Sequence, residues 1–203
     1  YKKDMSVQKY EDFADLMKKI NDVIVKTKDD IYDRTITALA KEANEKYIAL
    51  TTGNQSSGGK LLFERNHDVV NVSIRDVQNG EITGLGTGFQ RMKQLAIVMA
   101  IISSKIGDEK KFDYPFISDA PFSEFGENFV NNFFKVAPGV FSQSIIMIKE
   151  LYDPTAKDLL TPFGRRILEG MKNGKIPGTF YVNVIEDRAD TTGLVTSHKC
   201  YFE

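Results

Sequence analysis

The chain has 203 residues and a formal net charge of −1, a length that suits one domain or most of one. Hydrophobic residues make up 41% and charged residues 27%, enough for a real core beneath an ordinary soluble surface. The charge balance excludes a basic footprint over the whole domain and leaves only a local patch for nucleic acid. A single cysteine, Cys200, excludes a disulfide framework within the chain and fits a reducing, cytoplasmic setting. The longest apolar run, Leu95 to Ile102, is far short of the roughly 20 residues that span a bilayer. No signal peptide is visible, and a start at Tyr1 rather than Met is expected of a fragment or processed piece.

Tyr10, Phe13, Met17, Ile20, Ile24, Thr27 and Ile31 recur at alternating spacings of three and four, with Leu16 and Val23 widening the stripe. That is a heptad seam. The apolar register then shifts through Ile36, Leu39, Ala43, Tyr47 and Leu50, as expected where a helix leaves a coiled coil and docks on a globular body. One amphipathic helix lying on a core is the competing reading. A helix of about 45 residues is long for a globular domain, which favours a coiled-coil root over 1–50.

Thr51 to Gly59 reads as a Gly/Ser/Asn loop. Lys60 to Glu64 and Val69 to Arg75 read as strands joined by Asn66-His67-Asp68, with Val70, Val72 and Ile74 alternating on one face. Asn79-Gly80 marks a turn. Met92 to Ser104 is the most apolar helix, and a charged loop follows. Phe112 to Ser118 reads as a strand, Glu127 to Val136 as a helix and Ser144 to Ile148 as a short buried strand, so a parallel βαβ unit is expected. Beyond residue 152, Leu159 to Lys172 reads as a helix, and Thr179 to Glu186 with Leu194 to Phe202 as a closing hairpin around Asp190-Thr-Thr-Gly193.

Two stretches carry chemistry. Phe112 to Ser118 delivers Asp119 to a strand's carboxyl end, where a carboxylate is suited to holding magnesium on a phosphate chain; a turn-capping aspartate is the plainer reading. About 30 residues earlier, Gly84-Leu-Gly-Thr-Gly88-Phe-Gln-Arg91 opens the apolar helix. Small residues before a helix N-terminus leave N–H groups bare for phosphate. A third stretch, Gly53 to Lys60, imitates a P-loop. Its glycine before Lys60 is one residue too far from Gly53, Leu61 replaces the metal-binding hydroxyl, and it lies between a helix and a strand in the wrong order.

In this order the motifs resemble the carboxyl half of an ABC-type ATPase head of the SMC/RecN/DndD-like group. Asp119-Ala-Pro-Phe-Ser-Glu-Phe-Gly126 is similar to the Asp-Thr-Pro-Leu-Gly-x-Leu-Asp run of the DNA sulfur modification DndD family. Leu85, Gly88 and Gln90-Arg91 are similar to the ABC signature, Leu-Ser-Gly/Ala-Gly-Glu/Gln-Arg/Lys. Gly86 stands at the family's serine and Phe89 at its acidic or glutamine position.

The resemblance implies an α/β fold: the C-terminal lobe of a P-loop NTPase head over 51–152, a coiled-coil helix root, and a C-terminal helix and β-hairpin over 153–203. It implies ATP and Mg2+, with Asp119 as the metal-holding residue, Glu124 as a candidate for the catalytic carboxylate, and Gly86, Thr87, Gly88, Gln90 and Ser123 as nucleotide-binding residues. Ser123 to Gly126 would form the loop between heads. The chain contains no Walker A, so its partners would be a Walker A half, a second head, DNA, and a nuclease or accessory subunit, with no membrane. The usual catalytic glutamate position holds Ala120, and Lys149-Glu150 stands where a switch histidine is expected; slow or partner-dependent hydrolysis is the expectation. Two other readings stay open, a degenerate head serving as a scaffold and an unrelated βαβ binding module. His67, His198 and Cys200 are too scattered for a zinc site, and Phe129, Phe133 and Phe134 at helical spacing are expected in the core.

Overall fold

The computed structural model describes residues 2–53, 59–67, 69–76, 78, 80, 82, 84–103, 115–119, 122, 125–153, 155, 160–187 and 195–202, with backbone alone at 2–6, 180, 183–187 and 195–202. It begins with a single helix of 50 residues, α1 (Lys2–Thr51), about 75 Å long at ~1.5 Å per residue. Helix propensity alone does not hold so long an element; packing must. Two regimes follow. Along the heptad seam the apolar side chains are open, with Tyr10 76%, Ile24 60% and Ile31 60% exposed. Past the register shift, Ala43, Tyr47 and Leu50 are fully buried, packed on α2 (Thr87–Ser103) and α3 (Glu127–Val136). Burial holds the Tyr47 hydroxyl well above the ordinary phenol range.

Polar ties fix the docked end. Ser103 Oγ donates to Glu42 Oε1 at 2.9 Å. That bond, helped by Lys46, holds the Glu42 carboxyl below its ordinary value. A lowered carboxyl contributes stability that is present above the ordinary glutamate range and lost as pH falls through the folded value. Ser103→Ala is therefore expected to shrink the acid-side loss of stability, checked by melting temperatures across the acid range.

β1 (Lys60–Asn66) and β2 (Val69–Arg75) form the expected antiparallel hairpin, in register from Lys60↔Arg75 to Asn66↔Val69. His67 sits in the turn with φ 53°. At the hairpin's tip, Arg65 reaches back to α1. Its guanidinium donates to Asp29 at 2.7 Å and Asp33 at 2.8 Å and stacks 4.4 Å from the Tyr32 ring centroid. The two aspartates stand one helical turn apart, so the fork spans them. This clamp braces α1 just where it leaves the body. Arg65→Ala is expected to leave the fold intact and to broaden the distance distribution between spin labels at residues 22 and 94.

β3 (Phe116–Asp119), α3 and β4 (Ser144–Met147) form the parallel βαβ unit, in register from Phe116↔Ser144 to Asp119↔Met147. A 3-10 turn, Ala137–Gly139, ends α3. Three expectations need correction. Of the strand expected over Phe112 to Ser118, 112–114 lie outside the described residues, Pro115 is not in the strand, and the strand runs from Phe116 one residue further than expected, to Asp119. The apolar helix opens at Thr87 rather than Met92, because tertiary packing of its first turn overrides the glycine. Finally, β4 is not buried: Ile145 is 48% and Met147 51% exposed.

α4 (Pro162–Lys172) begins after the expected Leu159, where Thr161 Oγ1 accepts from Gly164 N at 2.9 Å and Pro162 takes the first position. Gly164 is obligatory there: a Cβ would lie 2.2 Å from the Leu151 carbonyl oxygen. Gly164→Ala is expected to destabilise by about 1–3 kcal/mol, read from chemical denaturation. β5 (Phe180–Asp187) and β6 (Val195–Phe202) pair antiparallel as the C-terminal hairpin.

Candidate functional site

The β3–β4 pair has one covered and one open face. Phe116, Ser118 and Ile146 lie toward the core. Ile117, 64% exposed, Ile145 and Met147 share the other face by period-two alternation and register. Asp119 ends that open face at the carboxyl edge of the pair, exposed and opposite Met147. Parallel sheets are ordinarily covered on both faces, and ligands gather at the carboxyl ends of their strands.

Behind β3 stands an aromatic run. The Phe116 ring packs on Phe141 at 4.8 Å and on Phe133 at 5.5 Å. Phe133 meets Phe122 at 5.0 Å, and Phe122, only 2% exposed, anchors the loop after Asp119. Phe125 N donates to Phe122 O at 2.9 Å, closing a turn before Gly126, the N-cap of α3. Phe125 then meets Phe129 at 5.9 Å, and Phe129 meets Phe89 of α2 edge-on at 5.2 Å. The run joins the strand that carries Asp119 to the first turn of α2. Sequence reading put Phe129, Phe133 and Phe134 in the core, and they are there. It missed Phe122 and Phe125, although their spacing of three and four with Phe129 and Phe133 was a signal.

At the start of α2, Gly86, Thr87 and Gln90 are exposed and Gly88 is half-buried. A Cβ on Gly88 would touch Phe129 at 3.4 Å and Phe125 at 3.5 Å, so the helix's first turn rests on those two rings. Phe89 is buried, 8% exposed. Its side chain therefore serves packing. Nothing lies within 4 Å of a Cβ on Gly86. Gly86→Ser, which restores the family's serine, is expected to fold with a melting temperature close to the parent's.

Ser123 and Glu124, like Ala120, lie outside the described residues. Glu127 opens α3 as an exposed N-terminal carboxylate and pairs with Arg166 of α4. Beyond β4, Lys149 is exposed, and Glu150 keeps one buried carboxylate oxygen, Oε2, without a hydrogen-bond partner among the described residues. Among the described residues the Asp119 carboxylate is not engaged by any cation. Among the described residues no cluster of three or more His, Cys, Asp or Glu could hold a metal ion, so Asp119 offers a single carboxylate.

No protein-family model matches the chain, and no curated protein matches it. Solved structures do. The chain is similar to the Smc head domain with an extended coiled coil, bound to the C-terminal domain of ScpA, from Pyrococcus furiosus, at TM-score 0.53 and 15% identity over 87% of this chain. It is similar to the SmcHead bound to the C-winged helix domain of ScpA at TM-score 0.53 and 15% identity over 88% of this chain. It spans 38% and 47% of those two chains. No helix among the described residues is long and apolar enough to cross a membrane. The likeness establishes a fold: α/β elements on a long helical root, arranged as in part of an SMC-type head.

Proposed function

We propose that this chain is the carboxyl-terminal lobe of an SMC-like ATPase head, which joins a Walker A half to bind ATP and hydrolyses it slowly between two engaged heads. The observation that carries the reading is the placement of Asp119 at the carboxyl end of an open apolar face on a parallel strand pair. Such a face calls for a cover, and the cover would bring a phosphate-binding loop to the one strand-end carboxylate. The orphan oxygen of Glu150 also asks for a donor from outside the described residues.

In this reading Asp119 holds Mg2+ through water, and the ion neutralises charge on the nucleotide's phosphates. Gly86, Thr87, Gly88 and Gln90 meet the nucleotide of the opposite head, and Ser123 to Gly126 lie between the heads. Glu124 is the nearest carboxylate for positioning water, since Ala120 fills the usual place. A fast basal rate would contradict this. The seam from Tyr10 to Ile31 pairs with a second helix as a coiled coil, with root, lobe and extension divided at residues 50 and 152. An accessory subunit, as ScpA is for the two Smc heads, and DNA complete the assembly in the cytoplasm; the run after Asp119 alone supports a DndD-like setting in DNA modification, repair or anti-phage defence.

The test is chemical access. With Cys200→Ser as background, Ile145→Cys is expected to react with a thiol reagent at least tenfold more slowly in the complete protein than in this chain alone. Equal rates would mean that nothing covers the face.

A further inference from the structure

A second site lies on the opposite side of α3. The end of α1, α3, α4 and the segment after α4 enclose a cleft of about 680 Å³, within the size range of small-molecule sites. Its floor is Gly170 and the buried Ile176. Cations come from separate elements: Lys135 from the α3 wall, Arg166 from the α4 wall and Lys175 from the closing segment. Among the described residues no carboxylate lines it. Arg166 also pairs with the exposed Glu127. Among the described residues, neither lysine has an ion-pair or hydrogen-bond partner.

Part of the lining is structural. Asn132 Nδ2 donates to the Leu50 and Thr52 carbonyls at 3.0 and 2.7 Å, and Asn128 Nδ2 to Gly53 O at 3.0 Å, so these amides cap the end of α1. They also hold the cleft's shape. What remains directed at a ligand is one class of group: cations on both walls, with no acid between them, in a chain whose overall charge is −1. Mutual repulsion across an empty cleft is relieved by a multiply charged anion that meets both walls at once.

We infer that this cleft binds a ligand bearing two or more phosphates, gripped between Lys135 and Lys175 with Arg166 at its edge. The site is separate from Asp119 and does not depend on the nucleotide reading. Phosphates from a free polyphosphate and from a nucleic-acid backbone present the same chemistry, and two probes separate them.

In magnesium-free buffer, the complete protein is titrated with inorganic triphosphate and with a short oligothymidylate, beside Lys135→Glu/Lys175→Glu and Lys135→Gln/Lys175→Gln. Charge reversal is expected to weaken binding at least about tenfold, the scale of one lost charged hydrogen bond. Neutralisation should weaken it less and flatten its salt dependence. The exposed lysines should be replaceable without lowering the melting temperature. A loss confined to oligothymidylate assigns the phosphates to a nucleic-acid backbone; a loss for triphosphate as well assigns them to a free polyphosphate. Equal binding by parent and reversed variant overturns the inference.

Discussion

Asp119→Ala in the complete protein is expected to lower ATP turnover by at least about a hundredfold, since groups one step removed from a catalytic metal already cost 10–100-fold. DNA is expected to stimulate the parent and to leave the variant silent. The fold should survive, because Asp119 is exposed at a strand end and its side chain ties no neighbour among the described residues. Stability and activity therefore separate at this residue. Undiminished turnover would reduce Asp119 to a turn cap.

Phe133→Ala is expected to act the other way, through stability. Phe133 is fully buried and its ring meets Phe116, Phe122 and Phe134 at 5.5, 5.0 and 5.7 Å. Deleting it removes a core aromatic and leaves a cavity, a loss of about 3–5 kcal/mol. For a domain of this size that lowers the melting temperature by roughly 6–20 °C. Phe133→Leu refills much of the space and is expected to recover over half of the loss. Because Phe133 supports both β3 and the loop anchored by Phe122, activity should fall with stability in the alanine variant and return in the leucine one. Thermal melts of the three proteins check it.

Much of this architecture was legible because period carries it. The heptad seam and its shift at Ile36 to Leu50 gave the long helix and its docking face. The alternation of Val70, Val72 and Ile74 gave β2, and the apolar stripe from Phe129 to Phe134 gave α3. The start of α2 was not legible. Gly88 and Phe89 read locally as a turn, and only the rings of Phe125 and Phe129, more than 30 residues away, make them a helix's first turn. The open face of β4 was hidden for a related reason. An unbroken Ile145-Ile146-Met147 run reads as covered on both sides, whereas Ile145 and Met147 are half open. In the candidate site, Asp119 fell at the strand end where the sequence put it. Its linkage to the α2 turn through Phe122 and Phe125 was not visible, and neither was the cationic cleft, whose lysines are 40 positions apart in sequence.

The shared site between two heads makes one sharp demand. In the proposed assembly, Asp119→Ala would remove the residue assigned to the metal in its own head, and Gly86→Trp would fill the open surface assigned to the neighbour's nucleotide. Each variant alone should be inactive. In a mixed pair, one site collects both lesions and the other receives an intact Asp119 from one head and an intact Gly86 turn from its partner. ATP turnover by an equimolar mixture of the two complete variants is therefore the most direct measurement. The account predicts recovery to a substantial fraction of parental turnover; a mixture as silent as its components would contradict it.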